Sequence, residues 1–206
     1  INGLNIDLSL AKPEVEENKI LLNPYGFEFS KPSDEDVLKG SIESGVAVYL
    51  HGLSGDGKSA RVKEYDKDAE IIYLLNSTPE AIIGKSVYKE STGEMIDIKP
   101  TWLVNLEEKC KREPDRLHVL FFDEISNAPK SVQGLAFNII LDREVNGKWR
   151  LPDNARVVAA GNEVEESIAA NKIAKPLYDR FAHIYIKTTV DSWLKWASKN
   201  NIHPAI

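Results

Sequence analysis

The stretch VAVYLHGLSGDGKS, residues 46–59, decides the fold of this chain. Its first five residues, 46–50, form a short apolar run of the kind that makes a buried parallel strand. The run breaks at a glycine-rich loop, residues 52–59, which matches the phosphate-loop pattern G-x-x-x-x-G-K-S at every fixed position. This order of strand, loop and helix predicts an α/β protein that binds a polyphosphate.

The chemistry of phosphate binding explains the residue types in this loop. Glycines let successive backbone N–H groups turn inward around a polyphosphate, and the helix that begins near Lys58 directs its positive dipole end at the same anion. Lys58 is expected to reach the β- and γ-phosphates, and the hydroxyl of Ser59 to ligate Mg²⁺. The alternative is a plain glycine-rich connector, which the closing Lys-Ser disfavours. The predicted phosphate-binding set is Gly52, Ser54, Gly55, Asp56, Gly57, Lys58, Ser59 and Ala60.

The 206 residues have the composition of a globular protein, with 42% apolar and 28% charged residues, which suits one α/β core and a small appendage. A net charge of −6 disfavours binding along nucleic acid through a basic surface, although it leaves open a basic pore in an assembled ring. The single cysteine, Cys110, cannot form an internal disulfide, which favours a reducing cytoplasm. No apolar run approaches the ~18 residues that span a bilayer, so no membrane association is expected.

A second motif, HVLFFDE at residues 118–124, ends a predicted buried strand on two carboxylates. In open α/β sheets ligands bind at the carboxyl ends of the strands, where the phosphate loop must also lie. A Mg²⁺ ion held by Ser59 and Asp123 would offset the cost of burying adjacent acids, and it leaves Glu124 to deprotonate an attacking water. The alternative is a solvated strand end that carries two charges.

Two later sites can be interpreted either as functional or as purely structural. The strand that ends at Asn162 places an amide at the sheet's carboxyl edge, where it can hydrogen-bond a water or phosphate oxygen or simply form a turn. Asp179-Arg180 is either a surface ion pair or a guanidinium directed at a neighbouring subunit's γ-phosphate. The histidines are scattered without metal-ligand spacing, so they receive no metal-binding role: His51, His118, His183 and His203.

Periodicity and turn residues predict the elements around these motifs. Ser33 begins a helix that ends at Gly45 and has Val37, Leu38 and Ile42 on its apolar side. Apolar runs predict strands at 69–75 and 182–186, and Thr189 caps a final helix that carries Trp193, Leu194 and Ala197. Hairpins are predicted at 87–98, where one interrupts a helix, and around Asn146-Gly147.

Taken in this order, the motifs resemble those of the AAA+ ATPases, and within them the MoxR-like group with an insert in its second helix. The resemblance covers about residues 33–196. The phosphate loop alone occurs in many nucleotidases, whereas the four motifs in order are specific. They are GLSGDGKS (52–59), VLFFDEIS (119–126), VVAAGN (157–162) and PLYDRF (176–181).

The resemblance implies a three-layer α/β/α fold with a mostly parallel sheet and β-hairpin inserts, and ATP hydrolysis with Mg²⁺. By this resemblance Asp123 and Glu124 are the Walker B pair, and Asn162 is the residue called sensor 1. Arg180 corresponds to the arginine finger. The family also implies a homo-oligomer, a hexameric ring, that remodels a partner. For MoxR-like members that partner is often a protein with a von Willebrand factor A domain.

The prolines, turn signals and short apolar runs of residues 1–32 predict an irregular N-terminal arm. It is followed by an ATPase core (33–188) and the start of a C-terminal helix or lid (189–206). Family members carry a helical lid with a second sensing arginine after the last strand. Only 26 residues follow Arg180, which is too few for a lid of ordinary size. We therefore expect a lid that is absent or truncated, either because the chain is an excerpt or because the lid is reduced.

The sequence lacks the signatures of other classes of nucleotide-binding protein. A GTPase would show N-K-x-D, but the candidate stretch at residues 171–174 has no acid. A small-molecule kinase does not usually need Glu124 to activate water, and a transporter-type ATPase would need a second glycine-rich signature. Two alternatives stay open: a nucleotide-gated assembly module that scarcely hydrolyses ATP, and a nucleic-acid-remodelling motor of the same family.

Overall fold

The computed structural model of the chain describes residues 19–20, 29–30, 32–162 and 175–199. The chain divides into two compact units, Ile1–Ser33 and Asp34–Ile206. In the first unit, strands β1 (Lys19–Ile20) and β2 (Phe29–Ser30) pair antiparallel. The second unit contains the phosphate loop and the second carboxylate motif.

The described strands of the second unit are β3 (Val48–His51), β4 (Glu70–Tyr73), β5 (Lys85–Lys89), β6 (Glu94–Ile98), β7 (His118–Asp123), β8 (Glu144–Val145), β9 (Trp149–Arg150), β10 (Ala155–Gly161) and β11 (Ala182–Tyr185). Its described helices are α1 (Asp34–Ser44), α2 (Lys58–Tyr65), α3 (Pro79–Ile83), α4 (Thr101–Arg112), α5 (Lys130–Asp142), α6 (Lys175–Tyr178) and α7 (Val190–Lys199), with 3-10 turns at Leu74–Asn76 and Ile125–Asn127.

Five strands form a parallel sheet in the order β11-β3-β10-β7-β4. One face packs against α3, α4 and α5 through an apolar cluster that includes Leu103, Phe122 and Ile139. The other face packs against α1 and α2 through a cluster that includes Ile42 and Val62. The predicted three-layer α/β/α fold is thereby confirmed.

The parallel arrangement brings the ends of three strands to one edge of the sheet. The phosphate loop follows β3, Asp123 ends β7 and Asn162 follows β10, so all three lie at the carboxyl edge, as expected for an open α/β sheet. After β11 the structure describes α7, while residues 200–206, where a lid would continue, lie outside the described residues.

Both predicted hairpins are present. The β5–β6 hairpin connects α3 to α4, and all of its strand residues are exposed. The β8–β9 hairpin turns through Asn146 and Gly147, which both have positive φ, at 56° and 62°, as a type I′ turn requires. Cys110 is buried on α4, and burial raises the pKa of its thiol to about 11.

One predicted strand boundary and one residue assigned to a predicted helix face are wrong. The strand expected at 69–75 ends at Tyr73, because its last partner is Asp123 and β7 turns away at the next residue. Val37 is exposed on α1, unlike Leu38 and Ile42. On α7, Ala197 is buried but Trp193 and Leu194 are exposed. Among the described helices, none combines the length and apolar character needed to cross a membrane.

Candidate nucleotide site

The phosphate loop has the backbone conformation that its glycines predict. Gly55 and Gly57 have φ of 93° and 75°, in the left-handed region that glycine adopts without steric cost. The carboxylate of Asp56 accepts a 2.7 Å hydrogen bond from the backbone N–H of Leu53, which closes the loop on itself. Helix α2 then begins at Lys58, so its amino end faces the loop. This geometry suits an anion at the centre of the loop.

Lys58 is buried although it carries a charge. Its Nζ donates to the carbonyl oxygens of Gly52 at 2.8 Å and Leu53 at 2.7 Å, and to Oδ1 of Asn162 at 3.2 Å. Burial lowers the pKa of Lys58, while Asp123, Asp56 and Glu124 act in the opposite direction. The ammonium is therefore held inside the loop, in hydrogen-bond contact with the amide predicted to sense the nucleotide.

Ser59 and Asp123 meet at the start of α2 and the end of β7. The Ser59 hydroxyl donates to Oδ2 of Asp123 at 2.7 Å, and Oδ1 of Asp123 accepts from the backbone N–H of Glu124 at 2.9 Å. Mg²⁺ prefers hydroxyl, carboxylate and phosphate oxygens. The two predicted metal ligands are thus adjacent, and their donor set fits this ion.

Glu124 turns the chain out of the sheet. Its φ of 57° and ψ of 34° are left-handed, a conformation that costs a residue with a side chain on the order of 1–3 kcal/mol. The conformation starts the 3-10 turn Ile125–Asn127 directly after the strand. As a result, Glu124 lies half-buried at the carboxyl edge, next to Asp123. Its carboxylate is close enough to act on the pKa of Lys58, in the raising direction.

Asn162 is held by contacts that sequence reasoning missed. Its backbone N–H donates to Oγ of Ser126 at 3.1 Å, and Tyr49 hydrogen-bonds the same hydroxyl. Gly161 makes this approach possible, because a Cβ there would collide with the Tyr49 hydroxyl and the Ser126 side chain. Burial raises the pKa of Tyr49, so its phenol stays protonated. The only signal in the sequence was the small residue before the amide.

Arg180 lies at the other end of the sheet. It precedes β11, whose first residue Ala182 donates to the carbonyl of Ala47, just before β3. Arg180 lines a cleft there with Gly45 and Val46, and its side chain is exposed. Asp179 pairs with Lys175 at 3.1 Å. The structure therefore does not bring Arg180 to the phosphate loop of its own chain.

A cavity of about 290 Å³ opens beside the phosphate loop. Two tryptophans of α7, Trp193 and Trp196, face it, and Thr188 donates to the backbone carbonyl of Asp56 at 3.0 Å. Ala60, a predicted site residue, also lines it, whereas Ser54 is exposed on the loop. Sequence reasoning placed Trp193 on the final helix without assigning it to the site; the spacing of two tryptophans three residues apart was the available signal.

The sheet order and the phosphate loop define a P-loop NTPase fold. Residues 47–181 match the family described as AAA domain (dynein-related subfamily). This match spans more than half of the chain, so the protein belongs to the AAA+ ATPases, as the motifs predicted. No curated protein matches the chain.

One similar solved structure is the crystal structure of an inferred ATPase from Cytophaga hutchinsonii. The two chains are 20% identical with a TM-score of 0.57, over 82% of this chain. At this identity the likeness shows the shared fold alone. The matched region corresponds to 50% of the Cytophaga chain, so the present chain spans about half of its length.

Proposed function

We propose that this protein binds ATP with Mg²⁺ and hydrolyses it to ADP and phosphate. The observation that carries the proposal is the hydrogen bond between Ser59 and Asp123, which joins the phosphate loop to the second carboxylate motif. It occurs beside the contact between Lys58 and Asn162. When bound, Mg²⁺ would neutralise charge on the β- and γ-phosphate oxygens.

The protein's own groups have separate tasks in this proposal. The loop N–H groups and Lys58 bind the phosphates, and Lys58 exchanges its contacts with the carbonyls of Gly52 and Leu53 for phosphate oxygens. Glu124 takes a proton from the attacking water, which it meets at the sheet edge. Asn162 keeps its backbone contact to Ser126 while its side-chain amide positions that water or the γ-phosphate.

The cavity beside the loop supplies a place for the adenine base. Trp193 and Trp196 are each partly exposed, at 39% and 43%, so their rings are accessible to a planar ligand. Stacking on aromatic side chains is a common way to bind a base, at about 1–3 kcal/mol per base. Arg61 and Glu35 also line the cavity and form an ion pair at 3.5 Å.

The site of one chain is incomplete without an arginine from another. Arg180 lies at the amino end of the sheet, away from its own phosphate loop, and no residue in the described ranges forms an ion pair with it. We propose that Arg180 stabilises the γ-phosphoryl charge in a neighbouring subunit of a homo-oligomeric ring, hexameric by resemblance. An arginine supplied in this way contributes on the order of 10³–10⁵ in rate.

The exposed β5–β6 hairpin favours the MoxR-like group within the family, because it stands between α3 and α4 as an insert in the second helix would. In this proposal the ring remodels a partner protein, and a protein with a von Willebrand factor A domain is the partner class implied by resemblance. Location in the cytoplasm likewise stays a prediction.

The test compares ATP affinity with phosphate release in the full-length protein. Tight binding with Mg²⁺-dependent phosphate release supports the proposal. Binding without release above the level of Lys58→Ala would favour the nucleotide-gated assembly module instead. Stimulation of release by single-stranded or duplex DNA would favour a nucleic-acid motor.

A further inference from the structure

Two histidines far apart in the sequence form a hydrogen-bonded pair between β3 and β11. Nε2 of His51 lies 2.8 Å from Nδ1 of His183, across 132 residues of sequence. His51 ends β3 and directly precedes Gly52, the first residue of the phosphate loop. His183 lies on β11, three residues after Arg180. The histidine pair, His51 and His183, therefore joins the start of the phosphate loop to the strand that follows the predicted arginine finger.

The contacts of His183 assign the protons in this pair. Its Nε2 lies 2.8 Å from the backbone carbonyl oxygen of Tyr178, which can only accept, so this nitrogen carries the hydrogen. In a neutral imidazole Nδ1 is then an acceptor, and His51 must donate from Nε2. Burial lowers the pKa of His51 to about 4, and His183 and Lys58 act in the same direction, so His51 is neutral at pH 7.

The carbonyl of Tyr178 holds the turn that carries Arg180. It accepts from His183 and also from the backbone N–H of Phe181 at 3.2 Å. We call residues 178–181 the Arg180 turn. The histidine pair thus connects this turn to the end of β3, in addition to the backbone hydrogen bond from Ala182 to Ala47.

Aromatic contacts close a ring around the histidine pair. Tyr178 stacks on His183 at 3.8 Å between centroids, and His51 stacks on Tyr185 at 4.3 Å. The hydroxyls of Tyr178 and Tyr185 lie 3.2 Å apart. Each of the four side chains thus touches two others, which restricts movement of either histidine.

We propose that His51 and His183 are positioning residues that hold the Arg180 turn in place relative to the phosphate loop of the same chain. Neither histidine belongs to the predicted phosphate-binding set at residues 52–60. Because Arg180 serves the neighbouring site, the pair connects the nucleotide site of one subunit to catalysis in the next. The inference rests on the proposed function, since it requires Arg180 to act on another subunit's ATP.

The test uses mixed oligomers of the full-length protein in which one kind of subunit supplies the site and the other supplies the arginine. Subunits with Arg180→Ala keep an intact ATP site but lack the arginine. Subunits with Lys58→Ala cannot bind ATP but still supply Arg180 to a neighbour. Their mixture should recover part of the parent's ATPase activity, because some interfaces pair an intact site with an intact arginine.

His51→Phe is then placed on one kind of subunit at a time. On the Lys58→Ala subunits it should lower the recovered kcat about 3- to 30-fold, the range of coupling through contact networks, with KM for ATP unchanged. On the Arg180→Ala subunits it should leave the recovered activity unchanged. His51→Gln, whose amide can donate in place of Nε2, should retain the activity in both positions.

The variants separate the hydrogen bond from ring packing. Phe keeps the stacking on Tyr185 and removes the donor, whereas Gln keeps a donor and removes the ring. If Gln is the damaging change, or if His51→Phe acts only on the site-supplying subunits or on neither, the inference is wrong. If His51→Phe prevents assembly, His183→Phe is tested in the same two positions with the same expected results.

Failure of the inference is distinguishable from failure of the proposed function. A parent protein that neither binds nor hydrolyses ATP overturns the proposed function, and the inference with it. Suppose instead that the parent is active but that mixing Arg180→Ala subunits with Lys58→Ala subunits, both with His51 intact, recovers no activity. That result overturns the inference and the role proposed for Arg180, because Arg180 then does not act between subunits, while the proposed binding and hydrolysis of ATP stand.

Discussion

The hydroxyl of Ser59 donates a hydrogen bond of 2.7 Å to the carboxylate of Asp123, 64 residues further along the chain. The contact joins the first turn of α2 to the end of β7, and it brings together the two protein oxygens best suited to Mg²⁺. The other carboxylate oxygen of Asp123 accepts a hydrogen bond from the backbone N–H of Glu124.

Asp123→Asn should weaken Mg²⁺ binding because the amide has no negative charge. Loss of an outer-shell partner of a metal typically costs about 10- to 100-fold in affinity or activity, and loss of a direct ligand is expected to cost at least as much. The measurement is ATPase rate against Mg²⁺ concentration at fixed ATP. An unchanged Mg²⁺ requirement would show that Asp123 is not a ligand.

Lys58→Ala should abolish ATP binding, because the variant loses the positive charge that offsets the β- and γ-phosphates. The buried ammonium makes its contacts within the site, so the fold should persist. The measurement is melting temperature with and without ATP, which rises only if the folded state binds the ligand. A rise equal to that of the parent would contradict the assignment of Lys58.

Glu124→Gln should keep ATP bound but slow its hydrolysis. The amide has nearly the same volume yet cannot take a proton from water, and removal of a general base typically costs ~10²–10⁴-fold in rate. Phosphate release and ATP affinity are measured on the same preparation. Hydrolysis at the parental rate would exclude Glu124 as the base.

ATP binding should change tryptophan fluorescence through Trp193 and Trp196. These rings line the cavity beside the loop, so a bound base would alter their surroundings. Replacing both by Phe should remove most of the change, and Trp149→Phe is the matched control because Trp149 lies on the β8–β9 hairpin. A response that disappears with Trp149 instead would place the base elsewhere.

Gly161→Ala should destabilise the protein by about 1–3 kcal/mol, because the added methyl group collides with Tyr49 and Ser126. Gly134→Ala on α5 is the control: nothing lies within 4 Å of its added Cβ, and alanine favours a helix interior by about 0.5–1 kcal/mol over glycine. Denaturant unfolding of both variants provides the test. Equal stability of the two would disprove the steric account.

The sequence by itself determined the features that depend on local chemistry. A phosphate loop needs glycines, a lysine and a serine at fixed spacing, so residues 52–59 were recognisable without a structure. Asn146-Gly147 predicted its hairpin because few residues adopt two successive positive φ angles. The apolar run ending in Asp123-Glu124 likewise predicted a buried strand with acids at its carboxyl end.

Only the tertiary structure decided which distant side chains meet. His51 and His183 carry no spacing signal, and they become partners because β3 and β11 are adjacent and in register, with His183 opposite Tyr49. The same pairing leaves Arg180 at the amino end of the sheet, and packing against the loop makes Trp193 part of a cavity wall. Strand order and register depend on the packing of the whole core, and no single stretch of sequence contains that information.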